Sequence, residues 1–114
     1  MKEEFLDYVE DIIDAMDDAM SFVEGMKYED LVKDRKTIYA VVRALEIIGE
    51  AVKRIPDLVR NRYPQIPWKD MAGMRDKLIH EYFGVDIKRV WKTVKEDILN
   101  LKPLFEKILK DFQK

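Results

Sequence analysis

Apolar residues recur along this chain at spacings of three and four, the period at which side chains stack on one face of an α-helix. Phe5, Val9, Ile12, Ile13, Met16, Met20 and Val23 predict a first helix from Lys2 to Glu24, with Asp7, Glu10, Asp11, Asp14, Asp17 and Asp18 over most of its remaining surface. Gly25 ends it. Leu31, Ile38, Val41, Val42, Leu45, Ile48 and Val52 predict a second helix from Asp30 to Ile55, roughly 25 residues and about 38 Å long. In its middle stands Gly49, which costs on the order of 1 kcal/mol against alanine and is explained by close backbone contact with another helix or a second subunit. Arg43 is spaced to pair with Glu46 at i, i+3 and with Glu50 two turns on. Pro56 halts the helix, residues 57–62 allow one further turn, and Pro64 and Pro67 make residues 61–67 a rigid, extended connector.

Pro67 and Trp68 open a third helix and Gly84 closes it, since proline is tolerated in a first turn and glycine favours the stop. Met71, Met74, Leu78 and Tyr82 fall within about 80° of one another at about 100° per residue, and Arg75 reads on the same face. A guanidinium there must snorkel out or find a buried acceptor. His80, the chain's one histidine, lies about 140° around from Arg75 on such a helix, so it borders any shared site from the side or a second subunit completes it. Asp86 is the N-cap of the last helix, which carries Ile87, Val90, Trp91, Val94, Ile98, Leu101, Phe105 and Ile108 inward and a basic cluster, Lys88, Arg89, Lys92 and Lys95, at its start. Pro103 is expected to bend it near the middle.

These elements predict an all-α protein, a four- or five-helix up-and-down bundle in a single domain spanning residues 1–114. Four glycines and four prolines among 114 residues leave little material for a many-stranded sheet. The absence of cysteine excludes disulfides and thiolate chemistry. The acidic N-terminus does not read as a signal peptide, and no apolar run approaches a membrane span, so a cytoplasmic protein without membrane association is expected. The formal charge of −2 conceals an asymmetry: residues 1–50 carry 14 acidic and 6 basic side chains, residues 51–114 carry 9 and 15. The basic half would attract a polyanion, and the two halves could equally orient subunits or helices against each other.

No phosphate-binding glycine loop, zinc spacing or serine or cysteine nucleophile arrangement is present, and no cofactor is implied. The carboxylates of the first helix read as a solvated face, because no Glu-x-x-His motif accompanies them to build a bundle metal site. Arg75, His80 and Tyr82 remain. Structurally they read as a salt-bridged arginine, a surface histidine and a core tyrosine. Chemically they suit metal-free phosphodiester cleavage: His80 can exchange a proton with a ribose 2′-hydroxyl or the leaving oxygen, and Arg75 can stabilise charge on the phosphoryl oxygens. One histidine is thin for a full acid–base cycle, and a two-fold dimer would supply two.

The string Arg75-Asp-Lys-Leu-Ile-His80-Glu-Tyr82, preceded by Ile66-Pro-Trp68 and by Arg43-Ala-Leu-Glu-Ile-Ile-Gly-Glu50 and followed by Val90-Trp91, resembles the HepT family of all-helical HEPN proteins. These are toxins of type VII toxin–antitoxin pairs whose antitoxin is a minimal MNT-type nucleotidyltransferase. The resemblance implies a homodimer whose Arg and His motifs line a shared cleft, metal-independent cleavage of RNA by Arg75 and His80, and silencing by AMP transfer to Tyr82. Asp76, Arg43, Glu50 and Trp68 become candidates for support or partner contact. Asp76 stands where the family usually has asparagine after the motif arginine, and its carboxylate is placed to pair with Arg75. That departure and the charge asymmetry motivate a second reading, a non-catalytic helical partner or substrate-binding subunit of a minimal nucleotidyltransferase.

Overall fold

Val9, Ile12 and Met16 on one helix and Val41, Leu45 and Ile48 on another are fully or almost fully buried against each other, and this helix pair forms the spine of the molecule. In the computed structural model, residues 4–80 and 84–112 are described, residues 79 and 80 by their backbone alone. The order is α1 (Phe5–Phe22), α2 (Tyr28–Val32), α3 (Arg35–Val52), α4 (Asp57–Arg62), α5 (Trp68–Ala72), α6 (Met74–Leu78), β1 (Ile79–His80), β2 (Gly84–Val85), α7 (Ile87–Lys92), a π-helical stretch (Thr93–Asp97) and α8 (Ile98–Phe112). The last three run on without a break as one helix over 87–112.

The bundle is all-α but its helix count differs from the expected four or five. Among the described residues three long helices do most of the packing and four short ones connect them. One cause is Asp34. Its carboxylate accepts from the Thr37 backbone N–H at 3.0 Å and from the Thr37 hydroxyl at 2.7 Å, an N-cap that starts α3 afresh and splits the expected second helix. Gly25, at φ +77°, closes the preceding turn where a side chain would be strained.

Pro56 does stop the chain, and α4 follows it as expected. Arg60 then reaches back, donating from Nη2 to the Val52 carbonyl at 2.9 Å and from Nε to the Ile55 carbonyl at 3.0 Å. A cation is thus bonded to carbonyls at and just past the C-terminus of α3, where the Val52 carbonyl also accepts from the Ile55 N–H at 3.1 Å. Tyr63 and Ile66 make the connector part of the core. Pro103 lies inside α8 without ending it. It sits on an exposed face, where the carbonyl it leaves without a partner is within reach of water. The irregularity of this helix is upstream, in the π-helical stretch, where the hydrogen bonds span one extra residue.

Candidate functional site

The segment from Trp68 onward is held from three directions. Trp68 is buried, donates from its indole N–H to the Tyr63 carbonyl at 3.1 Å, and meets the Phe105 ring edge-on at 5.6 Å, which ties α5 to both the connector and α8. Trp68 therefore supports the site from the core. On the other side Gly49 brings α3 against α5: a Cβ built there would lie 3.3 Å from the Met71 carbonyl oxygen and 3.7 Å from that of Ala72. The close backbone approach expected of Gly49 is thus made to the segment that carries Arg75.

The expected helix over 68–83 is not continuous. α5 caps at Gly73, whose N–H bonds the Lys69 carbonyl at 3.1 Å, α6 covers Met74–Leu78, and the chain then extends. Ile79 pairs with Val85 and His80 with Gly84 in an antiparallel ladder, and the Asp86 N–H donates to the Leu78 carbonyl at 2.8 Å. Gly84 is therefore not a helix stop but a strand residue at φ +77°, a conformation that favours glycine. Residues 75 and 80 accordingly do not share one helical cylinder, and azimuths around such a cylinder do not relate them. Two β-branched residues, Ile79 and Val85, and Gly84 were the signal for this hairpin.

Arg75 takes the first of the two courses open to a guanidinium on that face. Its side chain is 59% exposed and donates from Nε to Glu46 Oε2 at 2.8 Å, while Glu46, reaching out from α3, is 24% exposed. It has snorkelled to the surface and found a half-buried acceptor there. No further partner of its two terminal amino groups is seen among the described residues. Asp76, exposed on α6, does not take part in this pair. Nor do the pairs expected of Arg43 form: Glu46 holds Arg75, and Glu50 binds Lys53 at 3.4 Å. Arg43 and Glu50 both lie on the exposed face of α3. His80 is placed by its backbone in β1, opposite Gly84, and Tyr82 lies outside the described residues.

Glu46 is the residue that sequence reasoning did not place at the site. Its i, i+3 spacing from Arg43 masked a partner 29 residues away. The carboxylates of α1 lie mainly along its exposed face, where Asp17 accepts from Lys102 at 2.6 Å and ties α1 to α8. No helix among the described residues is long and apolar enough to cross a membrane.

Comparison with known proteins gives this geometry a setting. Residues 12–108 match the family model described as "Ribonuclease HepT-like". The protein of Thermococcus cleftensis named "Probable ribonuclease HepT" is 54% identical over 96% of this chain and all of the relative. Two proteins of Methanocaldococcus jannaschii, "Putative RNase MJ1216" and "Putative RNase MJ0125", are 51% and 50% identical, each over 98% of this chain and over 93% and 97% of their own lengths. No solved structure gives a significant match.

Proposed function

Because the chain belongs to the HepT-like ribonuclease family, we propose that it is an endoribonuclease that cuts RNA without a metal ion, using Arg75 to hold the scissile phosphate and His80 to move the proton. The observation that carries this reading is the Arg75–Glu46 pair. A single carboxylate on Nε fixes the guanidinium plane and leaves the terminal amino groups turned to solvent, the arrangement in which arginine takes two phosphoryl oxygens at once. Five residues further on stands His80, the chain's one histidine and the residue type suited to exchanging a proton near neutrality.

The reaction is transesterification. The ribose 2′-oxygen bonds to phosphorus, its proton passes to a neutral imidazole, and the bond from phosphorus to the 5′-oxygen breaks, with a proton returned to that oxygen from an imidazolium. Negative charge builds on the phosphoryl oxygens, where Arg75 meets it. One imidazole performs both transfers in sequence, or a second copy of the chain supplies the other, so a homodimer with a shared cleft is part of the proposal.

Regulation follows from the same stretch. A minimal MNT-type nucleotidyltransferase acting as antitoxin would transfer AMP from ATP to Tyr82: the phenolic oxygen bonds to the α-phosphorus and pyrophosphate leaves. That sets an anionic, bulky group two residues from His80 and blocks the approach of RNA by charge and by volume. In this reading the chain is the toxin of a type VII pair, acting in the cytoplasm.

The test is cleavage of single-stranded RNA in EDTA by the wild type and by His80→Ala. Metal-independent cleavage lost in the variant is the expected result; activity equal in both, or absent from both, removes the nuclease reading. Coexpression with a minimal MNT-type nucleotidyltransferase, followed by intact-mass analysis, should show one or more AMP units on Tyr82.

A further inference from the structure

A groove of about 620 Å³ runs between α5–α6 and the helix over 87–112. Its floor is apolar, built in part by Met71 and Leu78, both almost fully buried, and by Leu101. Its rim is cationic and polar: Lys77 comes from α6, Arg89 and Lys92 from α7, and Asn100 from α8. We propose that this groove holds single-stranded RNA next to the scissile phosphate, a base on the apolar floor and its phosphate against Arg89.

Three observations carry this. The first is chemical. An apolar floor with an amide at its edge and guanidinium and ammonium groups along its lip is what an unstacked base and its phosphate need, whereas duplex RNA hides its bases and is met across a broad surface. Methionine and leucine accept any base face, so the site is tolerant of sequence.

The second is electrostatic. Lys77 is held by Asp70 at 3.1 Å and Lys92 faces Asp97 at 3.7 Å, but no carboxylate among the described residues pairs with the Arg89 guanidinium. The two lysine pairs are largely exposed, and such pairs contribute little and open readily to a competing anion. The third is position. The five-residue α6 carries Arg75 to its pair with Glu46 and also carries Met74, Lys77 and Leu78 into the groove wall, so a chain whose phosphate sits at Arg75 is within one helix width, about 10–12 Å, of the groove. The π-helical stretch contributes to the same wall, setting Thr93 and Asp97 toward the groove, in the kind of helical irregularity often found at functional sites.

The proposal rests on the ribonuclease reading for the identity of its ligand, and the experiment separates the two. A short single-stranded RNA with 2′-O-methyl groups, which cannot be cut by the mechanism above, is titrated into wild type, Arg89→Ala and Lys92→Ala over a range of salt. Arg89→Ala should bind about five- to tenfold more weakly and lower the salt slope by about one, with Lys92→Ala following in the same direction. Both positions are exposed, and melting temperature and light scattering check that fold and oligomeric state are kept. Affinity and slope unchanged in Arg89→Ala, in a wild type that cleaves unmodified RNA, overturns the groove and leaves the nuclease standing. Weakened binding in Arg89→Ala, with no cleavage by wild type, supports the groove and removes the nuclease. Dissociation of an oligomer by Arg89→Ala or Lys92→Ala assigns the groove to a contact between copies and overturns the proposal.

Discussion

The hydrogen bond from Arg75 to Glu46 is a matter of orientation more than of stability. With Arg75 59% exposed, an ion pair of this kind contributes at most about 1 kcal/mol, so Glu46→Ala should leave the melting temperature nearly unchanged. The same substitution frees the guanidinium to rotate, and kcat for RNA cleavage should fall about tenfold with a smaller change in KM, since positioning counts most in the transition state. Glu46→Gln keeps an acceptor for Nε and should recover most of the loss; equal losses in both variants would mean that Glu46 acts through its charge. A second residue-scale contact joins the connector to the last turn of α8. The Tyr63 hydroxyl donates to Asp111 at 2.8 Å, and Asp111 also accepts from Lys107 at 2.9 Å. Burial, and then the Asp111 carboxylate, push the phenol from its ordinary value of 10.0 up to about 12. A folded-state value raised in this way contributes stability that is whole below pH 10 and is lost as pH climbs toward 12. Asp111 is shifted the opposite way, held below its ordinary value by the hydrogen bonds from Lys107 and then Tyr63, so its contribution is whole above about pH 4 and is lost as acid protonates it. Tyr63→Phe should cost about 1 kcal/mol near neutrality, and urea denaturation across the alkaline window should show a shallower decline than in the wild type.

At the scale of elements, what was legible in the sequence follows from where local rules and tertiary contacts agree. α1, the stop at Pro56, the turn of α4 and the Asp86 cap, whose carboxylate accepts from the Arg89 N–H at 3.1 Å, are all local. The apolar period from Leu31 to Ile38 carries across the break at Asp34 without a missed beat, so periodicity joined what the cap divides. The division is testable: Asp34→Ala removes both acceptors of Thr37 and should cost about 1 kcal/mol in urea denaturation. The site itself was readable as residue types and not as geometry. Arg75 and His80 stand out as chemistry, yet whether Arg75 is inside or outside depends on Gly73 splitting the helix and on Ile79 finding Val85, pairings no helical wheel contains. Gly49 sits between these cases, for the sequence indicated a close approach and the structure names the partner. Gly49→Val would push branched methyls against the Met71 carbonyl at a position where even a Cβ sits at 3.3 Å. A destabilisation of about 1–3 kcal/mol is expected, together with lower RNA cleavage because α5 carries α6, and with it Arg75, away from Glu46.

At the scale of the whole molecule, the described body measures 46 × 30 × 22 Å, with Asp17 of the acidic α1 bonded to Lys102 of the 87–112 helix. Each chain holds one imidazole, and on the exposed face of α3 Tyr39 and Ile47 flank Arg43 beside the Glu46 that holds Arg75. If two copies share one cleft, the arginine of one chain works with the histidine of the other, and two different inactive chains complement. Arg75→Ala and His80→Ala, each inactive alone, form on mixing a hybrid dimer with one intact arginine–histidine combination and one doubly broken one. Random exchange makes half the dimers hybrids with half their sites competent, so activity should return to about a quarter of the wild-type level. Pre-exchanged mixtures should show it and freshly combined ones should not, because subunits must first part and re-pair. Activity that stays at zero after exchange, with hybrid dimers seen by native mass spectrometry, would place a complete arginine–histidine set within each chain.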